Sequence, residues 1–203
     1  MLAAQVGSLI PFQRVDIKYL SEEQVNRLTE AFQRYFDESP PGYRRIRGRA
    51  WVIFLLLRYT GARLGEVLSL SIEDIDWRAC EVKLPTLKQK KPSFRIVPVP
   101  ANVLAEMGRF LAEYPDMREN LFSITSRAFR YVFTDRCKEA GLPSELSHPH
   151  VLRHTRAIEL LRAGVPVSVV QQLLGHAYLS TTAVYLRFSG AEVKQILRDR
   201  GLL

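Results

Sequence analysis

Apolar positions along the chain fall mostly at helical spacing. Ser21-Glu22-Glu23-Gln24 reads as a helix start, with Ser21 as N-cap and Gln24 in the capping-box position. Val25, Leu28, Ala31 and Phe32 continue that helix as one apolar face, and Ser39-Pro40-Pro41-Gly42 ends it. Ala50 to Tyr59 is apolar nearly all round, which predicts a buried central helix. Ile72 to Trp77, Glu81 to Leu84 and Phe94 to Val99 read as short strands, the last two joined by a cation-rich hairpin loop, Pro85 to Ser93.

Helical spacing then returns. Pro100 opens a segment with Val103, Leu104, Met107 and Leu111 in register, and Ile124 to Ala140 is a further helix closed by Gly141-Leu142-Pro143. His150 to Ala163 is stopped by Gly164, and Val167 to Leu174 is stopped by Gly175. Ser180-Thr181-Thr182 caps a helix carrying Tyr185, and Ala191 to Arg200 is again helix-like. Residues 1–17 show no periodicity and read as a tail or linker remnant. No repeat or linker interrupts residues 18–203, which predict one α+β domain, mostly α-helical with a small antiparallel β-sheet.

Composition narrows the partners. A 203-residue chain is long enough for a well-buried core, and its 29 Lys plus Arg against 21 Asp plus Glu give a net charge of +8. That balance suits a polyanionic partner such as nucleic acid or an acidic membrane surface. Two isolated cysteines, Cys80 and Cys137, make neither a disulfide framework nor a zinc ribbon. Met1 to Phe12 lacks the pattern of a signal peptide, and Ala50 to Leu57, the longest apolar run, falls far short of the ~20 residues that span a bilayer. The expectation is a cytoplasmic protein with no membrane contact.

Several clusters carry candidate chemistry. On a helix His150 and Arg153 share a face, so a guanidinium fork and an imidazole meet one target while Val151 and Leu152 turn to the core. Arg63 and Glu66 share a face in the same way, and there a surface ion pair behind a Gly61 turn is the plainer alternative. Arg44, Arg45, Arg47 and Arg49 fit either a solvated helix start or contact with a phosphate backbone. His150 and His154 stand four apart, but no Glu lies between them in a His-Glu-x-x-His pattern and no third ligand is evident, so no metal is expected.

Taken together, the boxes Thr60-Gly61-Ala62-Arg63-Leu64-Gly65-Glu66, His150-Val151-Leu152-Arg153-His154-Thr155 and Leu174-Gly175-His176, with Tyr185 nine residues after His176, resemble the catalytic domain of the tyrosine recombinases, the phage integrase family. The likeness runs in order over roughly residues 18–188. It implies that Arg63 and Arg153 clamp a scissile phosphate, that Tyr185 is the nucleophile, and that His150 and His176 are active-site imidazoles supported by Glu66 and His154. Counting eight residues back from Pro98 selects Lys90 as the hairpin lysine, with Lys88 and Lys91 as alternatives and further DNA contacts.

The implied reaction is strand exchange on double-stranded DNA through a 3′-phosphotyrosine, with no cofactor or metal. His150 takes the phenol proton and Lys90 protonates the leaving oxygen. The family commonly carries an N-terminal DNA-gripping domain, so this chain reads either as a catalytic fragment or as a short member resembling fimbrial-type invertases. The tail from about residue 190, with Val193, Ile196, Leu197 and Leu202, fits packing on a neighbour in a DNA-bound tetramer or on its own domain, and a free monomer is compatible with both. A type IB topoisomerase-like enzyme and an inactive DNA-binding regulator are the alternatives.

Overall fold

In the computed structural model, residues 17–86, 93–119, 121–175, 198 and 201 are described. Three helices open the chain: α1 (Glu22–Asp37), α2 (Arg44–Thr60) and the short α3 (Leu64–Leu68). A sheet of β1 (Ile75–Asp76), β2 (Glu81–Pro85) and β3 (Phe94–Pro98) comes next, and then α4 (Ala101–Glu113), α5 (Ser126–Glu139), α6 (His150–Arg162) and α7 (Val167–Leu174). The mostly helical architecture with a small antiparallel sheet is the expected one. No described helix is long and apolar enough to cross a membrane.

Local chemistry sets the boundaries. Ser21 Oγ accepts from the Gln24 amide at 3.2 Å while Gln24 Oε1 accepts from the Ser21 amide at 2.9 Å, the reciprocal capping box that the sequence announces. Thr125 caps α5 by accepting from the Ala128 amide, so that helix begins at Ser126 rather than at Ile124. The expected strand Ile72 to Trp77 is a 3-10 turn over Ile72–Asp74 followed by two strand residues. The Asp74 carboxylate accepts from the Ser71 amide and hydroxyl, each at 2.9 Å, and fixes that turn.

The core forms around α2. Phe32 of α1 stacks on Phe54 of α2 with ring centroids 4.2 Å apart, and Phe129 and Phe133 of α5 close over the same Phe32 ring. On the other side, Arg58 of α2 makes a fork to Glu159 of α6, Nη1 to Oε2 at 2.7 Å and Nη2 to Oε1 at 2.8 Å, which locks α6 against α2. A smaller cluster of Ala157, Leu161, Val170 and Leu174 seats α7 on α6.

The segment before α1 is tied in by one buried bond. The Leu20 amide donates to Thr155 Oγ1 of α6 at 2.9 Å, and that hydroxyl donates to Val151 O at 2.8 Å. Replacing Thr155 with Val removes the acceptor and leaves the Leu20 amide unsatisfied, an expected loss of about 1–3 kcal/mol in urea denaturation. An unchanged midpoint would mean that Leu20 finds another acceptor.

Candidate active site

Two turns far apart in sequence meet at one cleft. The first joins α2 to α3. Gly61 caps α2 at φ 63°, a left-handed conformation that costs glycine little, and the chain then turns so that Arg63 becomes the N-cap of α3. The second is Ser147–His150, which leads into α6. Together with Arg130 and Thr134 of α5, these turns line an open cleft of about 440 Å³ with Arg63 on one wall and His150 on another.

Arg63 is held by Glu66. The Arg63 amide donates to Glu66 Oε2 and its Nη1 to Glu66 Oε1, both at 2.9 Å. The carboxylate is wholly buried, so this is no surface ion pair. Burial alone would raise its pKa, but hydrogen bonds and charge from Arg95, with the bonds from Arg63, outweigh that and hold it below the ordinary carboxylate value.

Arg153 is 1% exposed and is one of the largest fully buried side chains among the described residues. Its Nη1 donates to Gly61 O at 2.9 Å. The sequence puts His150 and Arg153 on one helical face, and the structure separates them by depth: His150 lines the cleft with part of its ring packed against protein, and Arg153 is buried against the turn that leads to Arg63.

His150 and His154 pack edge to face at 4.6 Å. Partial burial first, then the charges of His154, Arg153, His148 and Arg63, push the His150 pKa down from 6.5 to about 4. His154 is lowered by burial first and then by His148 and Arg153. His150 is therefore neutral at pH 7, the form a proton acceptor needs. Between 6.5 and about 4 the unfolded chain binds a proton at this position that the folded chain refuses, so the folded state loses stability as pH falls through that window. Thermal midpoints from pH 7 to pH 4 are expected to fall, and His150→Gln is expected to flatten the slope; an unaltered slope would assign the pH dependence to other groups.

The remaining sequence candidates divide into two sets. Arg44 pairs with Glu113 and Arg45 with Asp116, Arg47 donates to Tyr35 O at 3.1 Å, and Arg49 donates to Ser123 O at 2.7 Å. Each of these guanidiniums thus has a protein acceptor. Lys88, Lys90, Lys91, His176 and Tyr185 lie outside the described residues. Motif and spacing do not single out Arg130 and Thr134 of α5, which share the cleft, or Arg95 of β3, which reaches Glu66. Among the described residues no group of three or more His, Cys, Asp or Glu side chains is arranged to hold a metal ion.

The profile described as "Phage integrase family" matches residues 18–191. The chain is 30% identical over 195 residues to tyrosine recombinase XerA of Pyrococcus furiosus, covering 92% of this chain and 63% of that protein. It is 33% identical over 189 residues to tyrosine recombinase XerC of Staphylococcus aureus, covering 88% of this chain and 61% of the relative. The crystal structure of XerA recombinase superposes with a TM-score of 0.70 at 28% identity, over 90% of this chain and 64% of that one. The XerH site-specific recombinase bound to difH substrate in a pre-cleavage complex superposes at 0.72, over 88% of this chain and 53% of that one; at 23% identity it bears on the fold alone.

Proposed function

The chain belongs to the phage integrase family, and on that premise we propose that it is a site-specific recombinase of Xer type, cutting and rejoining DNA strands through a 3′-phosphotyrosine. The observation that carries this reading is the cleft that Arg63 and His150 line together, with the buried Arg153 bonded to Gly61 O two residues before Arg63. Arg63 and the neutral His150 imidazole line that cleft from separate segments, and the buried Arg153 is bonded to the turn that leads to Arg63, an arrangement suited to a phosphodiester.

In the proposed reaction Arg63 and Arg153 neutralise the phosphate and stabilise the charge that grows in its five-coordinate transition state. The Tyr185 oxygen attacks phosphorus and its proton passes to His150, whose basicity rises once the phosphate's negative charge is beside it. The bond to the 5′ oxygen breaks, and Lys90 gives that oxygen a proton while His176 donates to a phosphate oxygen. The linkage keeps the bond energy, so attack by a 5′ hydroxyl reverses the step without ATP or metal.

The substrate is double-stranded DNA, met in the cytoplasm, and the enzyme works as a tetramer on it, with residues 18–203 as the catalytic unit. Glu66 and His154 support the site. Arg44, Arg45, Arg47, Arg49, Lys88 and Lys91 add positive charge for the phosphate backbone. The test is incubation with supercoiled plasmid in EDTA followed by an SDS quench: nicked DNA with protein bound to it supports the reading, and clean plasmid at every protein concentration counts against it.

A further inference from the structure

Arg95 is where three segments of the site meet. It lies on β3 with its side chain 6% exposed, turned inward while Phe94 and Ile96 face out. Its Nε donates to Leu173 O at the end of α7 at 2.7 Å, and its Nη2 donates to Glu66 Oε2 at 2.7 Å. The guanidinium also lies close against the left-handed Gly175, where a Cβ would fall 2.9 Å from Nη1 and 3.1 Å from Cζ. One side chain thus connects the hairpin, the Arg63 turn and the residue preceding His176.

The charges give this arrangement a direction. Glu66 is one carboxylate between two guanidiniums, Oε1 facing Arg63 and Oε2 shared between the Arg63 amide and Arg95. A carboxylate facing Arg63 alone would cancel its charge and draw its fork inward. Sharing the carboxylate leaves the group of three with a surplus positive charge, and Arg63, 27% exposed on the cleft wall, is the member placed to present it.

We propose that Arg95 is a positioning residue for strand cleavage: anchored on Leu173 O, it shares Glu66 with Arg63, and so fixes the Arg63 guanidinium toward the cleft with its charge available to the scissile phosphate. This rests on the recombinase reading. A lysine at this position has one compact ammonium and no fork, so it satisfies Glu66 or Leu173 O but does not hold the two in the same geometry. A residue that only braces the fold would be largely restored by that lysine in stability and activity together. A positioning residue is restored in stability alone.

The experiment compares the 203-residue chain with Arg95→Lys and Arg95→Gln in two measurements. The first is covalent plasmid attachment at saturating DNA, expected to fall roughly 10–100-fold, the usual cost of losing an outer support, with DNA affinity little changed. The second is the 15N NMR signal of the Arg63 guanidinium, identified by its loss in Arg63→Lys, and it needs no turnover. Its shift and faster side-chain rotation in the Arg95 variants support the proposal; a signal and cleavage rate like those of the parent chain overturn it. If the parent chain attaches to no DNA, the recombinase reading fails and the NMR signal alone decides whether Arg95 orients Arg63. If neither variant folds, Arg95 is a structural brace and the proposal fails.

Discussion

Tyr185→Phe is expected to bind duplex DNA as tightly as the parent chain and to form no SDS-resistant attachment to it. The substitution removes one oxygen and keeps the ring, so packing, charge at neutral pH and the guanidinium clamp are all retained. What disappears is the atom that becomes bonded to phosphorus. A missing electrostatic donor slows a step, whereas a missing nucleophile removes it, so the linkage should be absent rather than reduced. Tyr178, two residues after His176, is the natural control. Tyr178→Phe should leave the linkage in place, and the reverse outcome would move the nucleophile to Tyr178.

Features encoded by near neighbours are legible in the sequence, and features that depend on distant partners are not. Ser21 and Gln24 announce the start of α1 because both halves of the capping box lie within four residues. The spacing of Arg63 and Glu66 indicates their contact correctly, but not that Glu66 is wholly buried, since that depends on a strand arriving later in the chain. Apolarity places the start of α2 at Ala50, whereas the helix begins at Arg44. A basic first turn opposes the helix dipole, and the acidic residues that offset it, Glu113 and Asp116, come from α4 and the turn after it.

Strand β3 gives the strongest contrast. By hydrophobicity Phe94 and Ile96 belong inside, yet they face out, and Arg95 and Val97 face in. The reason is Glu66: a buried carboxylate requires a charged donor, and that requirement outweighs the exposure of two apolar side chains. No pattern within β3 carries that information. The same holds for Arg153, whose acceptor is a backbone carbonyl at the end of α2.

That carbonyl makes Arg153 a sharper probe than Arg63. Arg153→Lys keeps the charge and most of the length but loses the fork, so one ammonium must choose between Gly61 O and the phosphate. Cleavage is expected to fall about 10²–10³-fold, equivalent to roughly 2.7–4 kcal/mol of transition-state stabilisation, as when a preorganised donor is removed from an oxyanion site. Arg153→Ala should add a stability cost, because a fully buried side chain is deleted and the Gly61 carbonyl loses its partner, itself worth about 1–3 kcal/mol. Attachment rates under single-turnover conditions, set beside urea denaturation of the same samples, separate the two effects. If Arg153→Lys cleaves like the parent while Arg153→Ala unfolds early, Arg153 serves only to pin α6 under the Arg63 turn; a slow but stable lysine variant places its second nitrogen on the phosphate.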